Sequence, residues 1–136
     1  MKVLIDTNIF LDLFLKRELF FKNSSNLFSK VSSGELQGVV AAHSIPTLYY
    51  ILKKATSQKK TMAILTDILN LFQVGELTHK VCISAQQLSF PDYEDALVCD
   101  IAHREGCTFI VTRNTKDFKG SLILALTPED LFKKLR

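Results

Sequence analysis

The sequence predicts an α/β domain of three layers, α/β/α, with a central parallel sheet of four or five strands. Two observations lead there. Short apolar runs bounded by turn residues alternate with amphipathic stretches at helical spacing from the first residues to the last. The chain of 136 residues, 47% hydrophobic and 23% charged, has the size of one domain with its own core, so residues 1–136 are read as a single unit.

The opening Met-Lys-Val-Leu-Ile-Asp-Thr-Asn gives a strand over Lys2–Ile5 that stops on Asp6, then a helix over Asn8–Leu15. A second helix, Phe20–Val31, carries Phe21, Leu27, Phe28 and Val31 at helical spacing and ends at Gly34. Leu36–Ala42 is a buried strand, favoured by the β-branched pair Val39-Val40. Pro46 suits the first turn of a helix to Lys54, and Lys59–Phe72 forms another with Met62, Leu65, Ile68, Leu69 and Phe72 on one face. A short strand is expected at Val74–Leu77 and a helix at Lys80–Leu88; a longer helix opens at Pro91 and stops before Gly106. Thr108–Thr112 is the clearest strand, and Leu122–Leu126 the last. Thr127 then caps a helix with Pro128 at its first position and Asp130 as the reciprocal acid. Strand and helix alternate to the end, as right-handed crossovers between parallel strands require.

Composition narrows the function classes. No apolar run approaches the roughly 20 residues of a membrane span, and no signal-peptide pattern opens the chain, which points to a cytoplasmic protein without membrane contact. Cys82, Cys99 and Cys107 share no C-x-x-C spacing and read as small buried hydrophobes. A net charge of +3 allows a polyanionic partner without demanding one. Lys53, Lys54, Lys59 and Lys60 cluster at one helix-to-helix turn, which suits solvent as readily as an anionic substrate. His43, His79 and His103 have no partner spacing and read as surface or helix residues.

Chemistry concentrates where strands end. In a parallel sheet, reactive groups collect beyond the carboxyl ends of the strands, and there stand Asp6, Thr112 and the turn Arg113–Asp117. Asp6 alone could be a helix-dipole acid, and Asp92 and Asp95, a D-x-x-D pair, could be helix caps. Asp95, however, precedes Ala96-Leu97-Val98-Cys99, and a carboxylate facing such a stretch is costly unless something satisfies it. A Mg²⁺ or Mn²⁺ ion, which prefers carboxylate and water oxygens, is a natural partner. Asn114 and Asp117 precede Gly120 and also suit an Asx-type turn; Arg113 suits a bidentate phosphate contact or plain exposure.

Three stretches together, Ile5-Asp6-Thr7-Asn8, Asp92-Tyr-Glu-Asp95-Ala and Thr112-Arg-Asn-Thr-Lys-Asp117-Phe118, resemble the PIN domain, the small metal-dependent ribonuclease fold of VapC-type toxins. The resemblance spans nearly the whole chain. It implies Asp6, Asp95 and Asp117 as catalytic metal ligands for Mg²⁺ or Mn²⁺, with Asn114 as an alternative to Asp117 acting through water. Thr7, Asn8 and Thr112 would support them by hydrogen bonds, and Asp92 would be an extra acid. One departure stands out: the helix after the second strand usually carries a Glu, and Ser44-Ile-Pro-Thr-Leu-Tyr-Tyr has Thr47 in its place, one negative charge fewer. Asp92 is the candidate to compensate.

The function implied is a Mg²⁺- or Mn²⁺-dependent endoribonuclease acting on RNA, the toxin of a toxin–antitoxin pair, with a homodimer and a neutralising antitoxin as partners. Phe14, Phe20 and Phe21 could serve that interface or the core. The alternative is a degenerate PIN domain that binds RNA or protein without cutting, prompted by the missing Glu. A phosphoacceptor domain is a weaker fit, because between Leu36 and Leu77 only Asp67, on a helix face, could receive the phosphoryl group.

Overall fold

A computed structural model describes residues 1–135. Five strands, β1 (Lys2–Ile5), β2 (Gln37–Ala41), β3 (Phe72–Gly75), β4 (Phe109–Val111) and β5 (Leu124–Leu126), form one sheet in the order β3-β2-β1-β4-β5. Every pairing is parallel. Seven α-helices are found among the described residues: α1 (Thr7–Phe14), α2 (Phe21–Ser32), α3 (Ser44–Ala55), α4 (Gln58–Leu71), α5 (His79–Gln86), α6 (Tyr93–Arg104) and α7 (Pro128–Lys134). A 3-10 turn, Thr115–Phe118, joins β4 to β5.

The pleat of the strands sorts their side chains between two cores. Val3, Ile5 and Val40 face Ile9, Phe10, Leu27, Leu48 and Ile68 on one side of the sheet. Leu4, Val39 and Ile110 face Val81, Leu97, Val98 and Ile101 on the other. Helices therefore cover both faces, and the three layers expected from the sequence are present. No described helix is long and apolar enough to cross a membrane.

Caps set the helix starts. Ser57, Thr78, Asp92 and Thr127 each accept a backbone N–H with the side chain, at α4, α5, α6 and α7 respectively. Gly106 ends the α6 segment at φ +72°, a conformation that glycine adopts without penalty. Pro91 lies before α6 rather than within it, because Asp92 is the cap.

The third strand departs from the sequence expectation. Phe72 continues the helical spacing of α4, yet it is the first residue of β3 and pairs with Gly38. Gly38 has no Cβ, and the Phe72 ring fills the space: a Cβ built there would lie 2.4 Å from a ring carbon. The ring is further held edge-on against Phe10, centroids 5.1 Å apart, and packs against Phe28 at the same separation.

The parallel order puts the carboxyl ends of β1, β2 and β4 side by side. Beyond them lie Asp6, His43 and Thr112, with the start of α6 close by.

Candidate metal centre

Asp6 follows β1 directly and caps α1. Its Oδ1 accepts the Thr7 backbone N–H at 2.8 Å, and its Oδ2 accepts the Thr112 hydroxyl at 2.8 Å. Thr112 is itself fully buried and is a junction: Asn8 Nδ2 donates to its Oγ1 at 3.3 Å and the Asn114 backbone N–H at 3.1 Å. Thr7 Oγ1 donates to Ser44 Oγ at 2.9 Å, tying the start of α1 to the start of α3. The Asp6 carboxylate is thus fixed from both flanks before anything binds it.

The start of α6 brings the other acids. Asp92 Oδ1 accepts the Asp95 backbone N–H at 3.1 Å, so Asp92 is committed as the cap. A shallow cavity of about 320 Å³ opens between α1, α3 and α6. Asp6, Glu94 and Asp95 supply its carboxylates, and Thr7, Asn8, Thr47 and Asn114 its neutral polar groups. Asp92 is not part of its wall, although its carboxylate reaches those of Glu94 and Asp95: one oxygen from each lies within 4.8 Å of the others.

The electrostatics of the group are unbalanced. Burial pushes the Asp6 carboxyl above its ordinary value; the Thr112 hydrogen bond opposes this, and Glu94 adds to it. Asp95 is pushed up to about 7 by burial first, then by the neighbouring Glu94 carboxyl, then by Asp92 and Asp6. Among the described residues, no Lys or Arg forms an ion pair with Asp6, Asp92, Glu94 or Asp95. Glu94 Oε1 pairs with His43 Nε2 at 3.1 Å. Several carboxylates without cationic side chains form the kind of site that a hard divalent cation fills.

Of the residues singled out from sequence, the structure gathers Asp6, Thr7, Asn8, Thr47, Asp95 and Asn114 around this cavity, with Thr112 directly behind Asp6. It does not bring Asp117 there. Phe118 is buried in the core beside α6, and Asp117, one residue before it on the 3-10 turn, is exposed. Asn114 caps that turn without a side-chain hydrogen bond, so the Asx arrangement is absent and its amide is left at the cavity.

Arg113 is not a free phosphate donor. Its guanidinium grips the fully buried Asp12 through Nε at 2.6 Å and Nη2 at 3.2 Å, and stacks over Phe20 with 4.2 Å to the ring centroid. Arg17 adds a contact to Asp12 at 3.3 Å. Arg113 therefore lines a separate hollow beside α2 and α7.

Glu94, which lines the cavity, and its partner His43 are not among the candidate site residues that the sequence suggests. Glu94 was hidden inside Asp92-Tyr-Glu-Asp95, where its two neighbours matched the expected pattern better. His43 reads as a lone surface histidine, yet it stands just past the carboxyl end of β2, a position that the strand-end rule already marks. Cys99 and Cys107 are buried, as expected, whereas Cys82 is half-buried; burial pushes the Cys107 thiol up to about 11.

A parallel sheet ordered β3-β2-β1-β4-β5, with acids gathered past β1 and at the start of α6, defines the class. The chain belongs to the PIN domain family, whose sequence model matches residues 2–116. It is similar to ribonuclease VapC1 of Aquifex aeolicus (strain VF5), with 26% identity over 138 residues covering 98% of this chain and 94% of that one. Its fold matches that in the crystal structure of VapBC2 from Rickettsia felis bound to a promoter DNA fragment, with TM-score 0.70, 18% identity and coverage of 93% of this chain and 98% of the other. A toxin–antitoxin complex from Klebsiella pneumoniae matches with TM-score 0.69, 23% identity and coverage of 93% and 97%.

Proposed function

We propose that this protein is a divalent-metal-dependent endoribonuclease of the VapC kind, the toxin of a toxin–antitoxin pair acting on RNA in the cytoplasm. The observation that carries the reading is the convergence of Asp6 and Asp95, from segments 89 residues apart, on one cavity whose acids pair with no Lys or Arg among the described residues. The similarity to ribonuclease VapC1 supports the substrate class.

The donor set fits Mg²⁺ or Mn²⁺. It offers carboxylate and amide oxygens and no thiolate, and the Asp6 oxygens are already oriented. Asp6 and Asp95 would hold the ion, with Asn114 acting through water and Asp117, one turn away, outside the cavity. When bound, such an ion activates water and neutralises charge that develops on a phosphodiester. The protein supplies the positioning. Thr112 and the Thr7 N–H hold the Asp6 carboxylate, Asn8 holds Thr112, and the α6 cap fixes the Asp95 backbone. Burial and the acids around it push the Asp95 carboxyl up, and a bound cation would favour its charged form and so offset that cost.

The antitoxin and a second copy of the chain are the partners of this reading. The exposed Leu19, Phe20 and Phe21 at the start of α2 offer an apolar contact for one of them. The Klebsiella pneumoniae and Rickettsia felis neighbours are complexes of such pairs, which supports an antitoxin.

Cleavage of a mixed RNA pool by the purified protein in Mn²⁺ tests the reading. Cutting that stops with EDTA and falls at least roughly 100-fold in Asp6→Asn and in Asp95→Asn is expected, as for removal of an electrostatic group at the reacting centre. RNA binding that is the same with and without Mn²⁺, and no cutting, would replace it with a binding-only domain, the reading that Thr47 favours.

A further inference from the structure

We propose that Glu94 is the carboxylate that completes the metal-binding set, standing in for the acid missing at Thr47, and that His43 is its positioning residue. This rests on the metal-dependent reading above.

Thr47 and Glu94 both line the cavity, together with Asp6 and Asp95. Thr47 contributes no charge, and its hydroxyl is turned back onto its own helix, donating to the His43 carbonyl at 3.1 Å. Glu94 supplies the charge that Thr47 lacks, so three carboxylates face the cavity even though α3 provides none.

Glu94 is also placed rather than left loose. His43 Nε2 meets Glu94 Oε1 at 3.1 Å, while His43 Nδ1 is buried without a partner. That pairing fits the tautomer with the proton on Nε2, donating to the carboxylate. The Glu94 carboxylate also lies within hydrogen-bonding reach of the Asp95 carboxyl, the contact that a cation shared by the two acids would replace. A favourable helix dipole would account for an acid in the first turn of α6. It does not account for a carboxylate drawn across to the end of β2 by a half-buried imidazole.

Asp92, the earlier candidate for compensation, is the weaker choice. One of its oxygens is spent on the Asp95 backbone N–H, and it is absent from the cavity wall.

The test is Mn²⁺ affinity by calorimetric titration of the full chain, with the metal-free melting temperature as a check that each variant is folded. Four proteins are compared: wild type, Asp6→Asn, Glu94→Gln, and Glu94→Gln combined with Thr47→Glu. Glu94→Gln is expected to weaken Mn²⁺ binding roughly tenfold or more, and Thr47→Glu to recover most of that loss. An affinity for Glu94→Gln within about twofold of wild type, with Asp6→Asn clearly weakened, overturns the role of Glu94 and leaves the metal reading standing. A loss in Glu94→Gln that Thr47→Glu does not restore overturns the exchange of places. Absence of Mn²⁺ binding by wild type at millimolar concentration overturns the metal reading and this inference together.

Discussion

Asp12 and Arg113 show how much one buried pair can organise. Asp12 is fully buried and accepts from Arg113 at 2.6 and 3.2 Å and from Arg17 at 3.3 Å, so the residue after Thr112 is anchored to α1. Without Arg113, the buried Asp12 keeps only the 3.3 Å contact from Arg17, and Arg113→Met is expected to cost about 3 kcal/mol of stability, measured by urea unfolding. The same variant should leave the Asp6–Thr112 contact intact, since that hydrogen bond belongs to the strand end itself. At this scale the sequence was partly legible. Asp6, Asp95 and Thr112 announce themselves by their places at strand and helix ends. Arg113 does not, because an arginine's partner is fixed by a residue 101 positions away, and nothing local distinguishes a buried Asp12 from a solvated one.

Elements were more legible than their boundaries. Helix spacing, caps and apolar runs placed all five strands and all seven helices in order, because those signals are local. The α4–β3 junction was not local. Phe72 sits at a helical position in the sequence and becomes strand because Gly38, on a neighbouring strand, leaves room for its ring. Gly38→Ala is therefore predicted to destabilise by about 1–3 kcal/mol, since the ring is boxed in by Phe10 and Phe28 and has nowhere to retreat. Thermal unfolding of that variant beside Gly34→Ala, which meets open space but an unfavourable φ of +84°, separates crowding from backbone strain. Crowding should be relieved by adding Phe72→Leu; backbone strain should not.

For the whole molecule, the acidic cavity couples stability to pH. Asp95 is held near 7 in the fold against 3.8 when unfolded. Between those values the folded chain keeps a proton that the unfolded chain has released, so the stability of the metal-free protein should fall as pH rises from about 4 to about 7. Melting temperatures across that window check the sign, and Asp95→Asn should flatten the slope. Saturating Mn²⁺ should do the same for wild type, by taking the proton's place. The crowding of Asp92, Glu94 and Asp95 is legible in the sequence as its densest group of acids; the burial that raises the Asp6 and Asp95 carboxyls is not, because it depends on what packs around them.

β1 is the middle strand of the sheet, and Asp6 takes its second hydrogen bond from Thr112, 106 residues further along. During synthesis Asp6 precedes Thr112 by those 106 residues, so the oxygen that Thr112 holds is unrestrained until β4 has been made and has paired with β1. The cavity's first acid is thus set only once the chain has closed on itself across the sheet, which makes the geometry of the site a late product of folding.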